Sequence, residues 1–283
     1  MNQVTLLNGR SVPSIGQGTW YLGDDPSVRK NELAALRTGI EAGMTLIDTA
    51  EMYGSGRSEN LVGEAIASYD RDSLFLVSKV LPQNAGRKRM RTACENSLRR
   101  LGVEQLDLYL YHWRGSIPLR ESVEELERLK NAGLIRDWGV SNLDIDDMEE
   151  LADYDVKKHC QVNQVLYHTG SRGIEFSLLP WMRERNIRLM SYCPLAQAGT
   201  LKQGLMRNKT LLEIANAHSA TVSQIMLAWN IRGGDTIAIP RTGKAEHTLE
   251  NRAAADIVLT EAELQAIDRA YAPPTRKTWL DMQ

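Results

Sequence analysis

The sequence is short of cysteine, of histidine pairs, of long apolar runs and of net charge, and each shortage excludes a class of protein. Three cysteines in 283 residues, Cys94, Cys160 and Cys193, are an odd and sparse set without metal-site spacing. They exclude a disulfide scaffold and suit a reducing compartment, with reduced thiols expected. The histidines His112, His159, His168, His218 and His247 include no close pair at ligand spacing, so no metal centre is expected. No stretch approaches the ~18 apolar residues of a membrane span. Met1 to Arg10 has neither the apolar core of a signal peptide nor the Arg- and Ser-rich character of a transit peptide. A cytoplasmic protein is therefore expected. With 34 basic and 36 acidic residues the formal net charge is −2, which gives no broad field for nucleic acid or an anionic membrane. Linkers and low-complexity segments are also missing, and residues 1–283 read as one domain.

What is present is a repeated pattern. The run Leu46-Ile47-Asp48-Thr49-Ala50-Glu51-Met52-Tyr53 is a short apolar strand that stops at a carboxylate, with a phenol in the following loop. Three more apolar runs end on a polar group, at Lys79, at His112 and at Ser141-Asn142. Successive ends lie about 30 residues apart, the length of a strand-helix-strand unit. Taken alone, Asp48 is a helix cap, Tyr53 a half-buried aromatic, Lys79 a rim lysine and His112 a satisfied histidine beside Trp113. Their recurrence at the ends of adjacent units is what a barrel enzyme requires.

In chain order, Asn8-Gly9 between apolar residues predicts a hairpin with a two-residue turn, both residues accepting φ > 0. A first strand runs toward Gly16-Gln17-Gly18-Thr19-Trp20, whose small residues would let a ligand approach the backbone. Helical spacing is expected over 28–42, 60–67, 86–101, 119–132, 144–154, 178–185, 211–218, 221–231 and 245–255. Thr221 with Gln224 and Thr260 with Glu263 have the capping-box pattern, the second starting a last helix to Ala270. Strands alternate with these helices at 73–78, 106–111, 135–140, 161–166, 188–192 and 236–240. The 86–101 helix carries Arg87, Lys88, Arg89, Arg91, Arg99 and Arg100 with no interleaved aromatics, which reads as a solvated outer face. From Cys193 to about Asn208 the chain reads as its longest functional loop. The whole is an α/β fold, a (β/α)8 barrel with an N-terminal β-hairpin and a C-terminal extra helix and tail, a fold that typically takes ~250 residues.

Strand ends of a parallel barrel converge on one mouth, so Asp48, Tyr53, Lys79 and His112 can meet there. Together they suit proton transfer to a carbonyl. A cation at Lys79 would favour the phenolate of Tyr53 and draw its pKa down from about 10. Asp48 would hold Lys79 charged, and His112 would donate a hydrogen bond to the substrate oxygen.

At this point the chain resembles the aldo-keto reductases over nearly its whole length. The marks are Ile47-Asp48-Thr49-Ala50 with Tyr53, Ser78-Lys79, His112-Trp113, Gly139-Val140-Ser141-Asn142, Asn163-Gln164, Tyr192-Cys193-Pro194-Leu195, and Ile239-Pro240 through Glu250-Asn251. The resemblance implies an NAD(P)H-dependent reductase with Tyr53 as general acid, supported by Asp48, Lys79 and His112. It implies that Tyr192 stacks on the nicotinamide and that Ser141, Asn142 and Gln164 bond its carboxamide. Gly18, Thr19, Cys193, Leu195, Arg241, Thr242, His247, Glu250 and Asn251 complete the implied cofactor site. The family binds its cofactor without a Gly-x-Gly-x-x-Gly fingerprint, so Gly54-Ser55-Gly56, which runs on to Glu59, is read as a flexible turn beside Tyr53.

Two departures bear on the cofactor. Arg241-Thr242 and His247 stand where many relatives have Lys-Ser followed by Arg, and Cys193 stands where Ser is common. Arg241 can still pair with a 2′-phosphate, so NADPH is favoured and NADH is the weaker alternative. Trp20 and Trp113, with Trp279, would give an aromatic pocket for small aldehydes or 2-oxoaldehydes, and the short loop after Trp113 opposes an extended steroid-type site. A monomer is expected. The competing readings are a Schiff-base aldolase using Lys79 and a nucleotide-binding redox-sensing subunit without turnover. The first needs a depressed lysine pKa, which Asp48 opposes.

Overall fold

The first two strands of the computed structural model, which describes residues 2–155, 158–196 and 200–283, are β1 (Gln3–Thr5) and β2 (Ser11–Pro13). They pair antiparallel with Val4 opposite Val12. The expected hairpin is present, but its turn is longer than two residues. Of the Asn8-Gly9 pair only Gly9 is left-handed, at φ 85°, and Leu6 N–H donates to Arg10 O across the loop. Asn8 is committed elsewhere: its Nδ2 donates to Asp137 at 2.5 Å and its N–H to Gln161 Oε1 at 3.0 Å. These bonds tie the hairpin to the starts of later strands, and that requirement overrides the local turn preference.

Eight parallel strands follow: β3 (Gln17–Gly18), β4 (Leu46–Asp48), β5 (Phe75–Val80), β6 (Leu106–Tyr111), β7 (Ile135–Ser141), β8 (Cys160–Leu166), β9 (Arg188–Tyr192) and β10 (Thr236–Ala238). Each pairs with its neighbour in sequence. Parallel bridges from Ile15 to Ala238 and from Gly18 to Arg241 bring the first strand to the last and close the sheet. Side chains alternate along each strand. Thus Leu108 and Leu110 point inward with Leu46, Val77, Val162 and Met190, while Tyr109 and Tyr111 pack outward against the helices. Val4, Leu6 and Val12 join the inner cluster, so the hairpin plugs the end where the strands begin.

The helices are α1 (Arg29–Glu41), α2 (Arg57–Ile66), α3 (Met90–Leu101), α4 (Leu119–Asn131), α5 (Ile145–Tyr154), α6 (Leu178–Glu184), α7 (Thr200–Met206), α8 (Lys209–Ala217), α9 (Val222–Asn230), α10 (Ala245–Ala253) and α11 (Glu261–Ala270). Both capping boxes form as read, at the starts of α9 and α11. Helix α2 begins three residues earlier than its spacing predicts. The stretch read as one long loop after Cys193 contains α7, and residues 197–199 of it lie outside the described residues. After α11 the chain returns across the barrel without regular structure. Lys277 Nζ meets Asp146 at 3.0 Å and Ser171 Oγ meets Asp281 at 2.5 Å, which carries Gln283 to the C-terminal ends of the strands. Among the described residues no helix is long and apolar enough to cross a membrane.

Candidate active site

Asp48 closes β4, Lys79 lies one residue inside the end of β5, and His112 follows β6 directly. Asp48 is 2% exposed and Lys79 fully buried. A buried ammonium is tolerated only when its donors are met, and here the three bonds of Lys79 Nζ go to Asp48 Oδ2 at 2.7 Å, Thr49 O at 2.9 Å and Tyr53 OH at 3.0 Å. Tyr53 is delivered by a turn rather than a strand. Gly54, Ser55 and Gly56 are all left-handed, at φ 56°, 54° and 91°, so the stretch read as a flexible turn is a tight reversal that swings the phenol back over Lys79.

Burial raises the Tyr53 phenol above its ordinary value, outweighing the pull of Lys79. Lys79 does draw the phenol down as expected, but burial desolvates the phenolate more than one cation compensates and the net shift is upward. Burial also opposes the charge on Lys79, yet Asp48 and Tyr53 outweigh it and hold the ammonium's pKa above its usual value. The Asp48 carboxyl is pushed up by burial against Lys79 and Gln164, whose Nε2 reaches its second oxygen at 2.8 Å. Burial and Lys79 together keep His112 well below the usual imidazole range, so it is neutral at pH 7. Its Nδ1 is sealed from solvent without a hydrogen-bond partner. The ring meets Tyr53 edge-on at 5.9 Å between centroids.

Asp48, Tyr53, His112 and Gln164 line a cleft of about 330 Å³ that extends past Ser141, Asn142 and Tyr192 to Arg241, and Lys79 lies buried beneath it. Asn142, left-handed at φ 55°, donates to His112 O at 3.2 Å and accepts from Tyr192 OH at 2.9 Å. Ser141 Oγ donates to Gln164 O at 2.8 Å. Gly18, Thr19, Trp20, Cys193 and Leu195 also line the cleft. The lack of a side chain at Gly18 serves strand packing, since a Cβ there would lie 2.7 Å from Ile239 O. Thr19 is buried and its hydroxyl donates to Asp48 O at 2.9 Å. Arg241 is exposed on the rim with its guanidinium 6.0 Å from the Tyr21 ring. Thr242 and Asn251 flank a small adjoining cavity beside Gln17, and His247 and Glu250 are exposed on α10.

Two tryptophans are placed differently from the sequence reading. Trp113 is half-buried and packs on the His112 ring at 4.6 Å, outside the residues that line the cleft; Trp279 is 88% exposed on the returning tail. Tyr21, Met52, Lys202 and Gln283 line the cleft without having been singled out. Tyr21 stacks on Trp20 at 4.7 Å, and its place beside a mouth residue is the one signal that would have found it. Gln283 offers no local signal, because only long-range contacts of the tail bring it there.

Residues 14–272 match the model of the Aldo/keto reductase family. The chain belongs to this family. It is 52% identical to the methylglyoxal reductase YeaE of Escherichia coli over 96% of this chain and 95% of that one. It is 32% identical to the glyoxal reductase of Bacillus subtilis over 94% of this chain and 91% of the relative. An aldo/keto reductase from Klebsiella pneumoniae, solved in complex with NADP and acetate, superposes with a TM-score of 0.97 at 52% identity, covering 100% of this chain and 99% of that one. As an aldo/keto reductase the protein is an oxidoreductase, and the closed parallel sheet is the (β/α)8 barrel of its structural neighbours.

Proposed function

We propose that the protein reduces small aldehydes and 2-oxoaldehydes of the methylglyoxal type to alcohols, using NADPH and taking the proton from Tyr53. The observation that carries this reading is Lys79 Nζ, buried beneath an open cleft and bonded at once to Asp48 and to the Tyr53 hydroxyl, which both line it. The methylglyoxal reductase and the glyoxal reductase described above support the substrate class, and the NADP-bound neighbour supports the cofactor.

The donor set fits such a cofactor. Asn142 and Gln164 offer side-chain amides for a carboxamide, Tyr192 offers a ring face, and Lys202 and Arg241 place two cations along the same cleft for phosphates. Burial pushes the Cys193 thiol up to about 11, so it brings no negative charge toward a phosphate. Arg241 with Thr242 favours NADPH over NADH. Tyr192, Asn142 and Gln164 would hold a reduced nicotinamide, which when bound would supply the hydride for the carbonyl carbon.

The chain's own groups handle the oxygen. An acceptor nitrogen without a partner is less costly than a stranded N–H, so the His112 proton sits on Nε2, where it can donate to the carbonyl oxygen. As that oxygen gains negative charge Tyr53 gives it a proton, and the phenolate left behind lies 3.0 Å from the Lys79 ammonium. The raised phenol pKa keeps the acid loaded at rest, and Lys79 lowers the cost of unloading it. A Schiff base at Lys79 would need a neutral amine, and the opposite shift is found. The reading takes the protein to be a cytoplasmic monomer.

The test is the reduced-nicotinamide absorbance of protein mixed with NADPH and methylglyoxal, alongside Tyr53→Phe. Wild type should consume NADPH only when aldehyde is present. Tyr53→Phe should bind NADPH and lose turnover by about 10² or more. Binding without aldehyde-dependent oxidation in wild type would favour the sensing-subunit reading.

A further inference from the structure

Tyr53 hangs on a turn of three left-handed residues, so something beyond the turn must fix its distance to Lys79. The turn runs straight into α2, whose first residues include Ser58 and Glu59, both fully buried. A carboxylate is not left in such a place without partners. Glu59 Oε1 accepts from Ser78 Oγ at 2.6 Å, and Oε2 accepts from Arg100 Nε at 2.5 Å. Ser78 is the residue before Lys79. Because successive side chains of a strand face opposite ways, Lys79 points into the barrel while Ser78 points out to α2. One strand therefore presents the ammonium on one face and is fastened on the other to the helix that follows the Tyr53 turn.

A second fastening runs through hydroxyls. Thr49 Oγ1 donates to Ser58 Oγ at 3.2 Å, Ser58 Oγ to Thr19 Oγ1 at 2.8 Å, and Thr19 Oγ1 to Asp48 O at 2.9 Å. All three hydroxyl residues are buried. The start of α2 is thus tied to the strand ends carrying both Asp48 and Lys79. Hydrogen bonds are directional where apolar contacts are not, so these links fix register as well as distance.

We infer that Glu59 and Ser78 act as a positioning pair that sets the reach of Lys79 to the Tyr53 hydroxyl. The inference rests on Tyr53 being the general acid. Charged and titratable groups facing Tyr53 are Asp48 from β4, Lys79 from β5, His112 after β6, and Tyr192 and Cys193 at the end of β9. Those facing Glu59 are Arg100 and Cys94 of α3 and Tyr109 of β6. Loosening the pair at Ser78 moves Lys79 from the phenol and changes none of these charges, whereas Glu59→Gln also takes the carboxylate from Arg100.

Ser78→Ala and Glu59→Gln, both near-isosteric, test it through the pH dependence of kcat for methylglyoxal reduction and through NADPH affinity. Each should lower kcat by about tenfold, less than the roughly 10²-fold that a full 1 Å misplacement can cost, and leave NADPH affinity within about twofold. The alkaline limb of kcat should move to higher pH, because a phenol less supported by Lys79 holds its proton longer. Unchanged kcat in both variants overturns the inference, as does a lowered kcat with an unmoved alkaline limb, which a merely structural loss would give. Tyr53→Phe separates the two levels. If it retains wild-type turnover, the acid assignment falls and this inference with it; if it is inactive and the limb does not move in the positioning variants, this inference alone falls.

Discussion

Asp48 and Asp107 are buried carboxylates facing cations at opposite ends of the barrel, and they are surrounded on different terms. Asp107, near the start of β6, accepts from Arg10 at 2.7 Å, from Arg71 at 2.6 Å and from the Leu76 N–H at 2.9 Å, with Arg136 at 3.6 Å. The side chains of those arginines are 33%, 27% and 37% exposed. Only one ion loses its water there, and its lone pairs are filled by cations that keep part of theirs. At the mouth both Asp48 and Lys79 are stripped of water, and one lysine donor is spent on a phenol. His112 Nδ1 beside them has no partner at all. Groups that are all satisfied hold a fold together. An ion pair stripped of water beneath a cleft, with one donor on a phenol that lines that cleft, serves the chemistry above it.

The widest separation between the two ends should come from replacing the mouth pair as a pair. Lys79→Met with Asp48→Asn removes both ions and leaves no unpaired charge behind. Turnover should fall by about 10² to 10⁴. The melting temperature should hold or rise, since a buried ion pair replaced whole is often neutral or stabilising. A large drop in melting temperature with this double variant would mean that the mouth pair is structural too, and the contrast would collapse.

Asp107→Asn should do the reverse. One partner of a buried network is lost while three guanidiniums remain, at a cost of about 2 kcal/mol after allowing for their exposure to solvent. For a chain of this size that is a fall of about 3 °C in melting temperature. Steady-state turnover of the folded protein should stay at the wild-type level. A loss of kcat without a loss of stability would show that the lower end communicates with the site.

The mouth was more legible in the sequence than the lower end, for a physical reason. Strand ends recur at the spacing of the repeating unit, so Asp48, Lys79 and His112 stand out one after another. The partners of Asp107 come from a hairpin, a short 3-10 turn and another strand, with no common period. The same logic explains the misplaced aromatics. Whether Trp113 faces the cleft or the back of His112 depends on a side-chain direction in a loop, and Trp279 on how a tail without periodicity folds back. The Asn8-Gly9 turn failed as a two-residue reversal because Asn8 bonds to Asp137 and Gln161, more than 100 positions away. Local preference was overridden by contacts that no window of sequence contains.

A third kind of charge sharpens the comparison from the side of solvent. Arg241 belongs to the mouth but is exposed on its rim, with its guanidinium 6.0 Å from the Tyr21 ring. An exposed cation contributes little to folding, so Arg241→Ala should leave the melting temperature alone. Toward a 2′-phosphate the same group can make bonds to a full charge, each with a net effect of about 1.5 kcal/mol, or roughly tenfold in affinity. Titration of intrinsic fluorescence with each cofactor should therefore show NADPH binding weakened about tenfold and NADH binding nearly unchanged, with the difference shrinking as salt is raised. Equal losses for the two cofactors would move the guanidinium off the 2′-phosphate and onto a group they share. The rim would then resemble the floor of the cleft in serving the reaction's common chemistry, and the preference for NADPH would have to be sought among Thr242, His247 and Asn251.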